Sequence, residues 1–346
     1  MDILTYENLP ERIEDTEALD ELLSRPSEAL IDDLAQVEGD VLILGVGGRV
    51  GPTLARMVRR AAADKEVVGV SRFSDNRLRE QLEDWGVKTI PCNLLRREAV
   101  ERLPRFPNVI CLAGRKFGTA ADPAFSWAVN TYLPGLVAET FRDSRIVAFS
   151  TLCVYPFAPV TGGGWSEDDP PGPVGEFANG CVGRERVYEY FSSLHGTQGR
   201  LIRLNYLVDP RHGVLFDVAN WVWRGQPVPL AMGHANVIWQ GDANAQVLRS
   251  LACCTAPATP LNIGGPGAVS IRALALEFGR RFGVEPVFEG SEAPDAWINS
   301  TAQAQHLFGY PVVPLARMVD WVADWVERGM THHGRPTRFE VRDGQF

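Results

Sequence analysis

A glycine-rich turn between an apolar run and a helical pattern constrains the fold of this chain more than any other feature. The apolar run VLILG covers residues 41 to 45, and the helical pattern begins at Gly51. Gly45, Gly48 and Gly51 follow the spacing G-x-x-G-x-x-G. Glycines at this spacing let the backbone approach a pyrophosphate closely, and the helix N-terminus supplies free N–H groups. The segment therefore predicts a dinucleotide-binding turn, with a tight packing turn as the plainer alternative.

Strand-like and helical patterns alternate along the first half of the chain. The predicted strands are 41–45, 67–71, 88–90, 108–114 and 146–150, and the predicted helices are 51–63, 76–85 and 126–142. Alternation of this kind indicates βαβ units around a parallel sheet. We therefore predict an α/β fold, with a Rossmann-type doubly wound parallel sheet and a smaller C-terminal substrate-binding α/β part.

Four segments are expected from the changes of pattern along the chain. They are an N-terminal acidic helical extension (1–38), an NAD(P)-binding Rossmann domain (39–205, with contributions from later segments), a substrate-binding part (206–329) and a polar C-terminal tail (330–346). The loop 156–175 is rich in Gly and Pro and follows a predicted strand, which is where substrate loops usually emerge. The tail is polar, so we expect it to be loosely held.

The charge and the cysteines argue against several classes of function. The chain has 43 acidic and 34 basic side chains, a net charge of −9, and its arginines are scattered. A nucleic-acid partner is therefore not expected. No apolar run approaches the ~20 residues that span a bilayer, and the first residues are acidic, which favours a cytoplasmic protein without a membrane contact. The six cysteines lack C-x-x-C spacing, so we expect reduced thiols and no metal site.

Several motifs beyond the glycine turn resemble the extended short-chain dehydrogenase/reductase superfamily, in its NAD-dependent epimerase/dehydratase group. They are LAGRKFG (112–118), Asn130 in AVNTYLPG, AFSTLCVYP (148–156), RLNYLVDP (203–210), NVIWQGDAN (236–244), LNIGGPGAVSIRALA (261–275) and AQHLFGYP (304–311). The resemblance runs from about residue 40 to residue 326. It implies a Rossmann fold and chemistry that depends on a nicotinamide cofactor.

The resemblance also implies a set of cofactor-binding positions. They are Gly45, Gly48, Arg49, Val50, Gly51, Ser71, Arg72, Asn93, Leu94, Ala113, Gly114, Lys116 and Asn130. Within this set Lys116 would lie beside the cofactor pyrophosphate or ribose. Outside it, the resemblance implies that Thr151 hydrogen-bonds the reacting oxygen of the substrate. The alternatives are an ordinary surface lysine and a threonine that caps the end of a strand. Tyr155 matches a tyrosine that is structural in the family.

The tyrosine and lysine of the family's Y-x-x-x-K pair are missing from the helix that should carry them. Alignment on Glu189 puts Cys181 at the tyrosine and Glu185 at the lysine. Shifting the alignment by one residue gives Gly180 and Arg184 instead. Neither alignment restores the pair, so any acid–base chemistry must use other residues.

We predict Thr151, Cys181 and Arg184 as catalytic candidates. A helix N-terminus and the neighbouring Arg184 would lower the pKa of the Cys181 thiol, which could then act as acid or base. The alternative is that Cys181 is a buried packing residue. Arg184 would then hold the cofactor ribose or the substrate electrostatically, and Thr151 or Lys116 would relay the proton.

The end of the second predicted strand bears on the choice of cofactor. NAD enzymes of this fold usually carry an acidic residue there, but this strand ends in Ser71 and Arg72. A guanidinium is a natural partner for a 2′-phosphate. We therefore expect NADP, with NAD as the alternative; the plainer interpretation of Arg72 is a solvent-facing arginine that does not contact the cofactor.

The regions that grip the diphosphate in UDP-sugar members lack arginine. Ala235 stands where the first arginine would fall, and the second region offers Glu289, Glu292 and Asp295. Carboxylates repel a diphosphate but accept hydrogen bonds from sugar hydroxyls. We therefore expect a small-molecule substrate that is a carbohydrate without a diphosphate. The plainer interpretation of the acidic stretch is a solvated loop.

Three functions follow, in order of preference. The first is an NAD(P)-dependent oxidoreductase or epimerase that acts on a sugar, sugar acid or similar polyol with nonstandard acid–base residues. The second is a non-catalytic NAD(P)-binding sensor or scaffold. The third is a nucleotide-sugar epimerase or dehydratase, which Leu152 and Cys153 disfavour because sugar-nucleotide dehydratases carry an Asp-Glu pair there. A homodimer is considered for each.

Overall fold

The computed structural model describes residues 2–346, which form fourteen strands and thirteen α-helices. The strands are β1 (Val41–Leu44), β2 (Val67–Ser71), β3 (Lys88–Pro91), β4 (Asn108–Cys111), β5 (Arg145–Thr151), β6 (Ala158–Pro159), β7 (Gly199–Leu204), β8 (Tyr206–Val208), β9 (Val228–Pro229), β10 (His234–Trp239), β11 (Thr259–Ile263), β12 (Ala268–Ser270), β13 (Phe288–Glu289) and β14 (Asp295–Ala296). The helices are α1 (Thr16–Leu23), α2 (Glu28–Gln36), α3 (Gly51–Ala61), α4 (Asn76–Asp84), α5 (Arg97–Glu101), α6 (Pro123–Trp127), α7 (Leu133–Thr140), α8 (Gly175–His195), α9 (Val214–Trp223), α10 (Gln240–Arg249), α11 (Ile271–Phe282), α12 (Ala302–Phe308) and α13 (Leu315–Glu327).

One parallel sheet of seven strands forms the centre of the molecule, in the order β11-β7-β5-β4-β1-β2-β3. The chain moves outward from β1 to β3 and then returns to β4 on the other side of β1. In doubly wound sheets, ligands bind at such a switch point, outside the carboxyl ends of the strands. The predicted Rossmann-type sheet is confirmed, and its switch point lies beside the glycine turn.

The residues around the switch point explain why the chain folds locally as it does. β1 is apolar and buried along its whole length, as expected for a strand that helices cover on both faces. α3 begins at Gly51 with Pro52 in its first turn, and it buries Leu54 and Val58. Proline suits the first turn because its missing N–H would have no partner there. The N-terminus of α3 therefore opens directly onto the switch point.

A second group of elements packs beside the sheet and forms its own core. A three-stranded sheet has the order β12-β10-β8, and two-stranded sheets pair β13 with β9 and β14 with β6. Trp239, Trp297 and Trp321 are at most 1% exposed in this core. Leu19 and Leu22 of α1 belong to the same apolar cluster, so the N-terminal extension is packed into the fold.

Two local predictions differ from the structure. The helix predicted at 126–142 is divided into α6 and α7 by a single π-helical turn, Ala128–Tyr132. Such turns are frequent at functional sites. The strand predicted at 108–114 ends at Cys111, which leaves the rest of that segment as a loop at the switch point.

The C-terminal tail is held firmly, so the prediction of a loose tail was wrong. Thr337, Phe339 and Phe346 are buried, at 5%, 0% and 3% exposure. The backbone N–H of Thr337 donates to Asp217 Oδ2 of α9 at 2.8 Å. Exposed polar residues separate the buried ones, and this is why the segment looks polar in sequence. Residues 336–346 are called the C-terminal strap below.

Within residues 2–346, no helix is both long and apolar enough to cross a membrane. The same residues hold no group of three or more His, Cys, Asp or Glu side chains that could bind a metal ion.

Candidate functional site

The glycine turn lies against the loop that follows β4. Gly45 has a φ of +85°, and a Cβ there would lie 2.8 Å from the backbone nitrogen of Ala113. A Cβ on Gly51 would lie 2.1 Å from the carbonyl oxygen of Val46. A Cβ on Gly48 would meet only the carbonyl oxygen of Gly45, at 3.6 Å. Two glycines are therefore needed for packing, whereas Gly48 borders open space.

A cavity of about 310 Å³ lies between the glycine turn, the end of β5 and the second group of elements. Its walls come from seven parts of the chain, which are distant in sequence. They include Arg49, Val50, Leu112, Gly114, Lys116, Phe149 to Cys153, Phe177, Arg184, Leu204 to Leu207, Asp209, His212, Gln240, His333 and Thr337. Four of the predicted cofactor positions and two of the three catalytic candidates thus border one cavity.

Thr151 is the last residue of β5 and borders the cavity. Its hydroxyl oxygen accepts a hydrogen bond from the backbone N–H of Cys153 at 3.2 Å, which caps a short 3-10 helix, Leu152–Val154. The hydroxyl hydrogen remains available as a donor. The two roles considered for Thr151, a strand-end cap and a cavity hydroxyl, are therefore compatible.

Arg184 is buried with its guanidinium against the loop after β4. Nη1 donates to the carbonyl of Phe149 at 2.6 Å, and Nη2 donates to Asn130 Oδ1 at 2.6 Å. A Cβ on Gly114 would lie only 2.8 Å from Nη2. The guanidinium thus presents a fixed positive charge at the cavity wall, and Gly114 leaves room for it.

Asn130 holds this arrangement together from the π-helical turn. Its Oδ1 also accepts from the backbone N–H of Arg115 at 2.9 Å, and its Nδ2 donates to the carbonyl of Arg115 at 2.8 Å. The residue is fully buried and is not part of the cavity wall. Its observed role is to fix the loop after β4 and the Arg184 side chain.

The expectation of a reactive thiol at Cys181 was wrong. Cys181 is 1% exposed and belongs to an apolar cluster with Leu152 and Ala178. Burial raises the pKa of the thiol to about 12, although Arg184 lowers it in part. Because Cys181 is the seventh residue of α8 rather than a residue of its first turn, the helix N-terminus gives it little support.

Phe177 is a cavity residue that the sequence reasoning missed. It lies in the first turn of α8 and borders the cavity together with Arg184. Residues at i, i+4 and i+7 share one face of a helix, so Phe177, Cys181 and Arg184 point in similar directions. That spacing could have identified Phe177. Its ring presents no hydroxyl group.

Glu185, the candidate for the lysine position, serves a structural role. It forms a buried ion pair with Arg203 of β7, with Nη2 to Oε2 at 2.8 Å and side-chain exposures of 1% and 3%. Arg203 also donates to the hydroxyl of Tyr155 at 2.6 Å. This network ties α8 to the sheet, and it explains why a carboxylate stands where the family has lysine.

Lys116 borders the cavity, but its ammonium group turns toward the C-terminal strap. Nζ donates to the carbonyl of Thr337 at 2.9 Å and lies 4.5 Å from the ring centre of Phe346. Burial lowers the pKa of Lys116. No signal in the sequence indicated that the tail would cover this lysine.

The residues that follow β2 and β3 lie at the same edge of the sheet as the glycine turn. A Cβ on Gly47 would lie 2.5 Å from Ser71 Oγ, so the turn packs on the end of β2. Arg72 is exposed and makes no hydrogen bond or ion pair with any residue of the described chain. After β3, Asn93 Oδ1 accepts from the backbone N–H of Leu95 and Leu94 is buried. Neither Asn93 nor Leu94 borders the cavity.

Two histidines complete the cavity wall, and the sequence reasoning assigned them no role. His212 follows β8 in the PRHG loop, and His333 precedes the strap. Burial, together with the charge of Arg49, lowers the pKa of His212 to about 3. His212 is therefore neutral at neutral pH, and its Nδ1 lies 3.0 Å from the carbonyl oxygen of Arg335.

The acidic stretch does not present three free carboxylates. Arg272 donates to Glu292 at 2.6 Å, and Arg342 of the strap pairs with Asp295. Glu289 is exposed on β13. Arginines from elsewhere in the chain therefore neutralise Glu292 and Asp295, so these two carboxylates repel a diphosphate less than the sequence suggested.

Comparison with known proteins identifies the family. The model of the NAD dependent epimerase/dehydratase family matches residues 41–232. The chain belongs to this family. No curated protein sequence matches the chain.

Several solved structures share this fold. UDP-glucose 4-epimerase from Thermus thermophilus, solved with NAD, superposes with a TM-score of 0.69 at 19% identity and covers 82% of this chain and 98% of its own. UDP-glucuronic acid 4-epimerase from Bacillus cereus gives a TM-score of 0.70 at 16% identity, with 84% and 99% covered. Pal from Bacillus thuringiensis gives 0.71 at 18% identity, with 84% and 99% covered.

Proposed function

We propose that this member of the epimerase/dehydratase family binds a nicotinamide dinucleotide along the glycine turn and uses it to oxidise, reduce or epimerise a small hydroxyl-bearing substrate. The observation that carries the proposal is that the glycine turn, Thr151 and Arg184 border one cavity at the switch point of the sheet. A substrate class of sugars, sugar acids and similar polyols fits the polar groups of that cavity.

The geometry of the glycine turn supports binding of a dinucleotide. Gly48 borders open space, where a side chain would obstruct a phosphate. α3 directs its first N–H groups and partial positive charge to the same place, and Arg49 is exposed beside it. When bound, the nicotinamide would supply or accept the hydride of the reaction.

We propose NADP as the preferred cofactor. Arg72 stands at the end of β2 with an exposed guanidinium that no described residue pairs. A 2′-phosphate would give it a partner, whereas NAD would leave it unpaired. Since two of the solved structures named above contain NAD, NAD is the alternative that the titration below must separate.

Thr151 and Arg184 are the proposed groups for the chemical step. The Thr151 hydroxyl is free to donate to the reacting oxygen. The Arg184 guanidinium stays charged at any working pH, so it stabilises negative charge but does not transfer a proton. Cys181 is left out because its thiol pKa of about 12 keeps it protonated and its side chain is buried away from the cavity.

The proposed substrate lacks a diphosphate. Ala235 is fully buried in β10 and offers no charge where an arginine is expected in UDP-sugar members. Two structural relatives are named as enzymes of UDP-sugars, so a nucleotide-sugar epimerase is the alternative function. Arg272 and Arg342 are not free to bind a diphosphate instead, because they already pair with Glu292 and Asp295.

A non-catalytic NAD(P)-binding sensor is the second candidate, and one observation favours it. Phe177 stands on the cavity face of α8 without a hydroxyl, and the nearby Cys181 is inert. A cavity with this wall would bind a cofactor but would lack the acid–base pair that a reaction needs.

One experiment separates these functions. NADPH and NADH are titrated by fluorescence. Sugars, lactones, sugar acids and UDP-sugars are then added with either the oxidised or the reduced cofactor; the absorbance of the reduced nicotinamide reports net oxidation or reduction, and NMR of the added compound reports epimerisation. The proposal expects tighter binding of NADPH and either an absorbance change or an epimerised product with at least one compound that lacks a diphosphate. Binding without either change would support the sensor, and turnover only with UDP-sugars would support the alternative enzyme.

A further inference from the structure

The C-terminal strap connects the two sides of the cleft. On the Rossmann side, Lys116 Nζ donates to the carbonyl of Thr337 at 2.9 Å, and the backbone N–H of Gly118 donates to the carbonyl of Phe346 at 2.8 Å. The ring of Phe346 also packs edge-on against Phe177, with 5.6 Å between ring centres. The strap therefore covers the loop after β4 and the first turn of α8.

On the other side, the strap is anchored to the substrate-binding part. Thr337 donates to Asp217 of α9, and Phe339 is fully buried with its ring 5.9 Å from that of Trp221. Farther along, Arg342 donates to the carbonyls of Ala231 and Asp295 at 3.2 and 2.9 Å. The strap thus has anchors on α9, on the segment before β10 and on β14.

These anchors coincide with the regions expected to grip a diphosphate. The first region is the segment around Ala235, and the second runs from Glu289 to Asp295. Arg342 touches residues of both neighbourhoods at once, through Ala231 and Asp295. Through these two contacts the strap links the two neighbourhoods in which a UDP-sugar enzyme would be expected to hold the diphosphate.

The part of the cleft that the strap leaves open borders a buried polar atom without a partner. Tyr206 Oη is buried and has no hydrogen-bond partner among residues 2–346. Tyr206 borders the cavity with Thr151, and its ring lies 6.4 Å from that of Phe339 in the strap. An unpaired buried oxygen is costly, and a ligand hydroxyl would satisfy it, since it can donate and accept.

We infer that the C-terminal strap is the element that determines substrate specificity: it fills the nucleotide half of the cleft and leaves a site for a compact hydroxyl-bearing ligand beside Tyr206. The remaining cavity of about 310 Å³ is at the lower end of the range for ligand sites. The inference deepens the proposed function and depends on it for the identity of the reaction, although the position of the strap can be tested separately.

Acetylation of lysine tests whether the strap stays in the cleft. The chain has three lysines, and Lys88 is 69% exposed in its side chain, which makes it an internal reference for Lys116. Protein without cofactor is treated with an N-hydroxysuccinimide ester, and peptide mass spectrometry gives the ratio of the two rates. We expect Lys116 to react about tenfold more slowly than Lys88, because labelling requires local opening of the strap. Equal rates would overturn the inference.

The same assay with UDP-glucose separates a fixed strap from a lid that nucleotides displace. Saturating UDP-glucose is expected to leave the Lys116 rate and the melting temperature unchanged. A faster rate, or a rise in melting temperature with UDP alone, would overturn the inference. A double variant, Arg342→Ala with Phe346→Ala, should raise the Lys116 rate toward that of Lys88, whereas Gln345→Ala, an exposed neighbour in the strap, should not.

The site beside Tyr206 is tested by thermal shift with glucose, glucuronic acid and gluconolactone in the presence of NADPH. At least one of them is expected to raise the melting temperature, and Tyr206→Phe is expected to reduce that shift without changing NADPH affinity. A full shift in the variant, or no shift with any of the three in the wild type, would overturn this part of the inference. Failure of NADPH to bind at all would instead refute the proposed function, while the labelling of Lys116 would still report the position of the strap.

Discussion

The buried ion pair between Glu185 and Arg203 gives the sharpest prediction about stability. Nε and Nη2 of Arg203 donate to Glu185 at 3.1 and 2.8 Å, and Ser150 donates to the same carboxylate. Both charged side chains are nearly inaccessible, at 1% and 3% exposure. The substitution Glu185→Gln keeps the shape of the side chain and removes its charge, so it leaves a guanidinium buried without a counter-charge.

The size of the effect follows from this burial. Removing one partner of a buried pair costs about 3–5 kcal/mol. The glutamine oxygen can still accept one hydrogen bond, and Arg203 keeps its bond to Tyr155 at 2.6 Å, so we expect a loss near the lower end, about 3 kcal/mol. The matched control is Glu189→Gln on the same helix. It breaks the pair with Arg186, whose side chain is 58% exposed, and exposed pairs contribute about 0–1 kcal/mol.

Urea unfolding followed by tryptophan fluorescence measures both variants. Their unfolding free energies are compared through midpoints at equal slopes, because a changed slope would indicate a changed unfolded state or an intermediate. We expect a clearly lower midpoint for Glu185→Gln and a midpoint close to wild type for Glu189→Gln. Equal midpoints for the two variants would refute the argument that this pair balances the charge of the core.

Four further predictions concern the site and the surface. In fluorescence titrations, Arg72→Ala should weaken NADPH binding about tenfold and leave NADH binding unchanged. Arg77→Ala is the nearby control and should change neither affinity. Equal loss of affinity for both cofactors in Arg72→Ala would contradict the proposed phosphate contact. Gly48→Ala should fold normally but bind NADPH more weakly. Gly51→Ala should instead lower the melting temperature, because its Cβ would lie 2.1 Å from the carbonyl oxygen of Val46. A Gly51→Ala variant as stable as the wild type would refute the packing argument. Cys181 should resist iodoacetamide in the native protein, since burial raises its pKa to about 12 and little thiolate forms; alkylation as fast as that of the half-buried Cys253 would contradict this. Trp127 and Tyr132 form an open apolar surface with Val187 and Phe191 of α8, and they are 41% and 50% exposed. Such a patch favours a homodimer through this surface, so sedimentation should give a dimer for wild type and a monomer for Tyr132→Glu; a monomeric wild type would refute it.

Local pattern was sufficient to predict the sheet and the glycine turn. β1 and α3 are adjacent in sequence, so apolar runs, glycine spacing and Pro52 determine that part of the fold within a few residues. The alternating elements then imply a parallel sheet, because parallel strands need crossover connections. The position of Thr151 at the cavity was also predictable, since it ends a strand at the edge of the sheet where ligands bind.

The environment of α8 could not be predicted from its own residues. Whether Cys181 is reactive depends on which side of the helix faces the cavity and on what covers the other side. If α8 began one turn later, Cys181 would lie in the first turn of the helix, where the helix N-terminus lowers the pKa of a thiol. The sequence did contain one indication of the structural role of Glu185. A buried carboxylate requires a partner, and Arg203 on β7 carries the opposite charge.

The strap was beyond sequence reasoning for a different reason. Its partners are far away in the chain, since Thr337 bonds Lys116 across 221 positions and Asp217 across 120. Its buried residues are interspersed with exposed charged ones and follow neither a helical nor a strand period. Only the three-dimensional structure indicates that this polar segment fills part of the cleft.

The transfer of hydride is the central claim, and deuterium measures it most directly. NADPH carrying deuterium at C4 of the nicotinamide is incubated with the protein and the carbonyl forms of the sugars and sugar acids in the panel, and products are analysed by mass spectrometry. The account predicts deuterium on carbon in at least one polyol product, and a loss of that label in Thr151→Val while NADPH affinity is retained. Bound NADPH that never delivers deuterium to any compound of the panel would contradict the claim.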